Sequence, residues 1–244
     1  MHHFDKGKAV ILSMDAERLR EEFARRGPWV TRFQIEGEEY GGSFDPALGG
    51  RVEDFFRVFP GVRSILELGC LEGGHTFALA RQPSLARVLG LDARPQNIAR
   101  ARFVQDLLRS KNVEFAQADL EETNLTGFGE FDAVFCSGLL YHLWEPWKLV
   151  EQIPRVAPRL FIWTHYAPEN EATLTRGNWR GREQVEGGKD EPLSGMKPKS
   201  FWLTLESLLQ LLRSAGFTSI KILENNLEHS NGPAVRIAAS LVGA

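Results

Sequence analysis

A chain of 244 residues with 43% apolar and 25% charged residues has the composition of an ordinary globular protein, which excludes a disordered, collagen-like or highly charged polymer. Twenty-nine Lys and Arg against 32 Asp and Glu leave a formal charge of -3, so no bulk positive field exists to hold a polyanion, and nucleic-acid binding would need a local patch. Two cysteines, Cys70 and Cys136, lie in different apolar runs; a disulfide framework and a Cys-rich zinc site are unsupported, and a reducing cytoplasm is the expected location.

The apolar stretch at residues 9–12, like every later apolar run, falls short of the roughly 18 residues of a membrane span. Residues 14–26 carry Met14, Leu19, Phe23 and Ala24 near helical spacing, and Gly27-Pro28 stops that helix. Residues 29–35 alternate loosely as a short strand, and 36–42 form an acidic, Gly-containing loop with Tyr40. Residues 1–50 thus make a cap appended to a main domain at 51–244. A second helix is predicted over 48–59, ended by Pro60-Gly61.

From Val62 the chain alternates short β-rich runs with helical stretches, the pattern of an α/β parallel sheet wrapped by helices. Strands are predicted at 64–68, 88–91, 113–116, 131–135 and 160–164, with helices at 76–81, 95–108 and 146–156 between them. A capped helix follows at 204–215, with Thr204 at its start, then strands at 218–223 and 234–241. Residues 166–200 lack clear periodicity and are read as a long insertion loop, a lid or substrate segment.

Chemistry concentrates at four strand ends. Glu67-Leu68-Gly69-Cys70-Leu71-Glu72-Gly73-Gly74 joins a β-run ending in an acid to a Gly-rich turn and a helix, leaving an open amide cradle. Asp92 ends the next β-run, where a carboxylate accepts hydrogen bonds from ribose hydroxyls, so a nucleoside cofactor is indicated. A nicotinamide dinucleotide requires glycine two residues after Gly69, but that position is Leu71. S-adenosylmethionine has no phosphate and bears a cation, which suits a turn flanked by Glu67 and Glu72. Asp119 and Leu120 follow the third strand, where acid and amide suit adenine. The fourth strand leads into Ser137 and the aromatic turn Tyr141-His142.

In this order the motifs Glu67-Leu-Gly-Cys-Leu-Glu-Gly73, Asp92, Ala118-Asp119-Leu120 and Phe131-Asp132-Ala-Val resemble those of the class I S-adenosylmethionine-dependent methyltransferases over about residues 51–241. The resemblance implies a three-layer Rossmann-like fold: a seven-stranded sheet, mostly parallel, with an antiparallel last strand. It also implies S-adenosyl-L-methionine as cofactor and S-adenosyl-L-homocysteine as product. By the same resemblance Gly69 and nearby backbone, with Cys70, Gly73 and His75, hold the methionine part and Glu67 orients it. Asp92 and Ala93 hold the ribose, Asp119 and Leu120 the adenine, and Ser137 the amino end, while Tyr40 closes over the cofactor. Gly138-Leu139-Leu140-Tyr141-His142-Leu143 with Pro146, and Gly73-Gly74-His75, are similar to the tRNA wobble-uridine carboxymethylating enzymes.

The expected reaction is methylation of a small organic acceptor, favoured at oxygen because a base is at hand. His142, with Tyr141 beside it, is the first candidate base and His165 the next. Tyr166, Trp179 and Trp202, together with Trp163, are the candidate acceptor wall. No His cluster accompanies the cysteines, so no metal is expected. Two alternatives stand beside this one: an RNA methyl- or carboxymethyltransferase using the basic excess at 81–111, and a non-catalytic nucleoside-binding module that grips a protein partner.

Overall fold

The computed structural model describes residues 14–242, so the apolar stretch at 9–12 lies outside the described residues. Helix α1 (Ala16–Arg26) starts at Asp15, whose carboxylate accepts the Arg18 N–H at 2.9 Å, and buries Leu19 and Phe23. A hairpin of β1 (Arg32–Ile35) and β2 (Glu38–Gly41) follows. The acidic stretch predicted as a loop is therefore a tight turn and a strand, with Tyr40 directly opposite Phe33. Helix α2 (Arg51–Val58) is shorter than the pattern suggested, because Gly49 and Gly50 hold the chain at positive φ before it.

Strand β3 (Ser64–Leu68), helix α3 (Gly74–Ala80), β4 (Arg87–Asp92), helix α4 (Pro95–Leu108) and β5 (Val113–Gln117) follow. Next come β6 (Ala133–Ser137), α5 (Pro146–Val150) and β7 (Arg159–His165). Strand β6 begins two residues later than predicted and carries Ser137 to its end. Helix α5 stops early because Pro154 has no N–H to offer the Val150 carbonyl and its ring clashes there, so the chain passes into a short 3-10 turn. The 166–200 insertion is not an irregular loop. Its β8 (Leu174–Arg176) and β9 (Trp179–Val185) join β10 (Lys199–Leu203) in a three-stranded antiparallel sheet. Helix α6 (Leu205–Ser214), capped by Thr204, β11 (Ser219–Asn226) and β12 (Ala234–Ser240) complete the chain.

The main sheet has seven strands in the order β11-β12-β7-β6-β3-β4-β5. β12 runs antiparallel to both neighbours, and β7, β6, β3, β4 and β5 are parallel. The expected α/β Rossmann-like sheet with its antiparallel last strand is thus the observed one. Alternation along each strand sorts the apolar side chains onto two faces. Leu66, Val134 and Ile162 meet Leu149 and Leu208 on one face. Ile65, Phe135 and Phe161 meet Phe55 and Leu79 on the other. Among the described residues no helix is long and apolar enough to cross a membrane.

One buried acid staples the front segment to this frame. Glu72 is fully buried and accepts the backbone N–H groups of Val30 (3.1 Å) and Thr31 (2.8 Å), with Arg100 at 3.4 Å. It is therefore spent on the cap rather than on a sulfonium. Removing it leaves two amides and a guanidinium without their partner, so Glu72→Ala should cost about 3 kcal/mol or more in urea unfolding. It should also raise amide exchange at Val30 and Thr31. A loss below about 0.5 kcal/mol, the range of ordinary surface changes, would contradict this role.

Candidate active site

Parallel strands β3, β4, β6 and β7 end on one rim, and the turns that leave them enclose a cavity of about 780 Å³. At its floor, Gly69 sits at φ +77, and a Cβ there would lie 3.1 Å from the Leu139 side chain, so glycine lets two turns close on each other. Leu71 is also in the left-handed region, at φ 52, and its N–H is held by Asp92 Oδ2 at 3.0 Å. The other Asp92 oxygen accepts the Arg94 N–H at 2.8 Å and Asn97 Nδ2 at 3.0 Å. Burial raises the Asp92 pKa and these bonds oppose the rise.

Of the residues expected at the cofactor, Gly69, Cys70, His75, Asp92, Ala93, Asp119, Leu120 and Ser137 line this cavity. Three others do not. Gly73 starts α3 behind the wall, where a Cβ would meet the Phe115 ring at 2.7 Å. Glu67 is buried and accepts the Thr76 hydroxyl; burial pushes its carboxyl up to about 8 despite that bond. Tyr40 stacks on Phe23 at 5.0 Å in the cluster between the hairpin, α1 and α4. The front segment instead reaches the cavity through Val30, Thr31, Ser43 and Phe44.

On the acceptor side His142, Tyr141 and His165 all line the cavity. His142 Nδ1 is 3.0 Å from Glu186 Oε2. Glu186, just past β9, also accepts the Ser194 hydroxyl (2.6 Å), the Gly195 N–H (2.7 Å) and the Ser200 hydroxyl (2.7 Å). Burial alone pushes Glu186 up, but this ring of donors outweighs it and holds the group at about 2. His165 Nδ1 donates to the carbonyls of Gly232 (2.9 Å) and Pro233 (3.2 Å), leaving Nε2 as an acceptor, and burial lowers its pKa. The Tyr141 phenol is pushed up to about 12 by burial and stays protonated.

Trp202 stacks on His165 (10° between planes) and lines the cavity, as Trp163 does. Tyr166 and Trp179 do not; both are buried in the main core, Tyr166 with its hydroxyl on Asn225 at 2.8 Å. Sequence reasoning missed Glu186, His229 and Asn231, because they come from a strand end and a turn whose neighbours in space are distant in sequence. It also missed Arg51, an unexceptional arginine at the first turn of α2 that reaches the cavity. Among the described residues no group of three or more His, Cys, Asp or Glu is placed to hold a metal.

The chemistry of the lining fits an adenosyl sulfonium donor. Asp92 and Asp119 offer acceptors on one side. His75, kept neutral by burial and by Arg51 with its pKa at about 3, has a buried Nε2 with no partner among the described residues.

Comparisons with known proteins agree with this geometry. A model of the methyltransferase domain matches residues 62–185. The chain is similar to the N-terminal domain of EvdMO1, solved in the presence of S-adenosylhomocysteine (SAH) and D-fucose, with 36% identity and a TM-score of 0.84 over 93% of this chain and 97% of that one. The same domain with SAH bound is 34% identical, again with a TM-score of 0.84. Among curated proteins, the tRNA U34 carboxymethyltransferase of Wolinella succinogenes is 25% identical over 202 residues, 82% of this chain. That of Sulfurimonas denitrificans is 23% identical over 179 residues, 69% of this chain. The chain spans 66% and 53% of the lengths of these two curated relatives. A family match over half of the chain, joined to SAH-bound structures of similar sequence, makes this chain a member of the methyltransferase-domain family and an S-adenosylmethionine-dependent methyltransferase.

Proposed function

We propose that this methyltransferase methylates a hydroxyl oxygen of a small, polyhydroxylated acceptor of the sugar class, with His142 as general base. The observation that carries this reading is the Glu186-anchored imidazole on the cavity wall. With Glu186 held as a carboxylate, His142 Nδ1 keeps its proton and donates it to Oε2, which leaves Nε2 as the proton acceptor. When bound, S-adenosylmethionine supplies a methyl group already activated on sulfur. His142 Nε2 takes the acceptor's hydroxyl proton, and Glu186 stabilises the imidazolium that forms.

Neighbouring groups suit a polyol. His165 Nε2 is a second acceptor, and the buried Trp202 indole N–H has no partner among the described residues. Tyr141, Trp163 and Trp202 provide flat apolar walls. The presence of D-fucose in crystals of the similar EvdMO1 domain supports a sugar.

The curated relatives favour a tRNA acceptor instead. Against it, arginines of the basic 81–111 segment are engaged within the fold. Arg87 pairs with Glu114 at 3.1 Å, Arg100 donates to the Arg26 carbonyl at 2.7 Å, and Arg102 donates to the Phe115 carbonyl at 2.9 Å.

His142→Gln should lower kcat by about 10²- to 10⁴-fold while SAH affinity changes less than about twofold. A variant with wild-type turnover would remove His142 from the chemistry. Methyl-ether formation on D-fucose and related sugars, set against bulk tRNA, separates the two acceptor classes by mass spectrometry; methylation of tRNA alone would overturn the sugar reading.

Glu186 also gives a pH signature. Its folded pKa lies below the unfolded value of an ordinary glutamate, so its contribution to stability is complete above that value and fades as pH falls toward about 2. The stability that wild type holds over Glu186→Gln should therefore be constant near neutrality and shrink in acid. Urea unfolding at several pH values measures this, and a difference that grows in acid would contradict the anchoring role.

A further inference from the structure

Residues 186–196, between β9 and β10, have little apolar surface with which to hold themselves in place. Gly195 is the one buried residue of this segment, and Leu193 is 62% exposed. Yet Leu193, Ser194, Gly195 and Met196 all form part of the cavity wall. What holds them there is polar. The Glu186 N–H donates to the Pro198 carbonyl at 2.9 Å and the Gly187 N–H to the Ser194 hydroxyl at 2.6 Å, which closes the base of the segment on itself.

The turn beyond that base is held by Arg94. Its Nη2 donates to the carbonyls of Gly188 (3.0 Å), Glu191 (2.7 Å) and Ser194 (2.9 Å), so the backbone is wrapped around one cation. Hydrogen bonds from a charged donor are roughly twice as strong as neutral ones. Arg94 is itself fixed, because its N–H is held by Asp92 at 2.8 Å and Pro95 confines it to extended backbone (φ -87, ψ 119).

The far side of the same segment rests on the base. A Cβ at Gly195 would lie 2.3 Å from the His142 carbonyl oxygen, so here two backbones are in contact and only glycine fits. The Ser194 hydroxyl and the Gly195 N–H both donate to Glu186 Oε2, the oxygen that His142 Nδ1 meets at 3.0 Å. Any shift of this turn therefore disturbs the group that sets the His142 tautomer.

We propose that Arg94 is a positioning residue for His142: its guanidinium latches the turn at 187–195 onto the cavity wall, which keeps Ser194 and Gly195 on Glu186 and Glu186 on the imidazole. The proposal rests on His142 as the base, but the latch is read without turnover, so a failure of the latch and a failure of the base are separate results. With so little apolar burial, loss of the latch opens the turn locally and leaves the domain folded.

NMR of protein with isotopically labelled histidines, joined to amide hydrogen exchange, tests this. Wild type should show a His142 Nδ1–H signal, identified by its loss in His142→Gln. In Arg94→Met that proton and the Gly195 amide should exchange with solvent roughly 10-fold faster or more. The His165 Nδ1–H, held by the Gly232 and Pro233 carbonyls, and the Val104 amide within α4 should keep their wild-type rates. Unchanged exchange at His142 and Gly195 in Arg94→Met overturns the proposal, as does wild type without the His142 Nδ1–H signal. Faster exchange at Val104 and His165 as well marks general unfolding, and Arg94→Lys then carries the test. It keeps the charge but loses the planar fork, so exchange at Gly195 should rise while Val104 is unchanged, and a wild-type rate at Gly195 overturns the proposal.

Discussion

A buried carboxylate must be satisfied completely or it costs several kcal/mol, and the site is organised around that constraint at Asp92. Its two oxygens collect the Leu71 and Arg94 amides and the Asn97 side chain, which fixes the Gly-rich turn, the end of β4 and the start of α4 relative to one another. The same Arg94 extends the run. Its guanidinium donates to the carbonyls of Gly188 (3.0 Å), Glu191 (2.7 Å) and Ser194 (2.9 Å), and so holds the segment after β9. Ser194 and Gly195 in turn donate to Glu186, and Glu186 orients His142. Hydrogen bonds and the short segments between them thus link Asp92 on one side of the cavity to His142 on the other.

Polar satisfaction is divided unevenly over the molecule. Away from the cavity, Glu72 is matched by two amides and Arg100, and Arg236 pairs with Asp54 and Glu224, although the buried Nε atoms of Arg236 and Arg182 have no hydrogen-bond partner among the described residues. At the cavity, His75 Nε2 and Trp202 Nε1 have no partner among the described residues, and Arg51 has no acid. Unmatched groups on a cavity wall are ones from which a ligand can recover binding energy. The protonated Tyr141 keeps further negative charge out of the site.

What was legible in the sequence follows physical range. The Gly-rich turn after β3, the acid ending β4 and the order of strands are local patterns of period two and of turn chemistry, and the sheet follows them closely. Asp92, Asp119, Ser137, His142 and His165 reach the cavity because each stands at or just beyond a strand end on the same rim. Positions set by pairing across distant segments were not legible. The insertion looked aperiodic because β8 is a three-residue edge strand paired only with β9, β9 is largely polar, and the register of β9 is set by β10, distant in sequence. Tyr166 and Trp179 are core residues there, and Glu186 gains its role only once that small sheet folds against the His142 turn. Tyr40 was misplaced for a similar reason, since Phe23 and Phe33 draw it into the aromatic cluster of the cap.

A crystal structure with SAH bound tests most directly whether the converging strand ends form one continuous cofactor and acceptor site. The expected result has the ribose hydroxyls on Asp92, adenine beside Asp119 and Leu120, and the sulfur facing the space between His142 and Trp202. An adenosyl group bound elsewhere, or a sulfur turned away from His142, would contradict it.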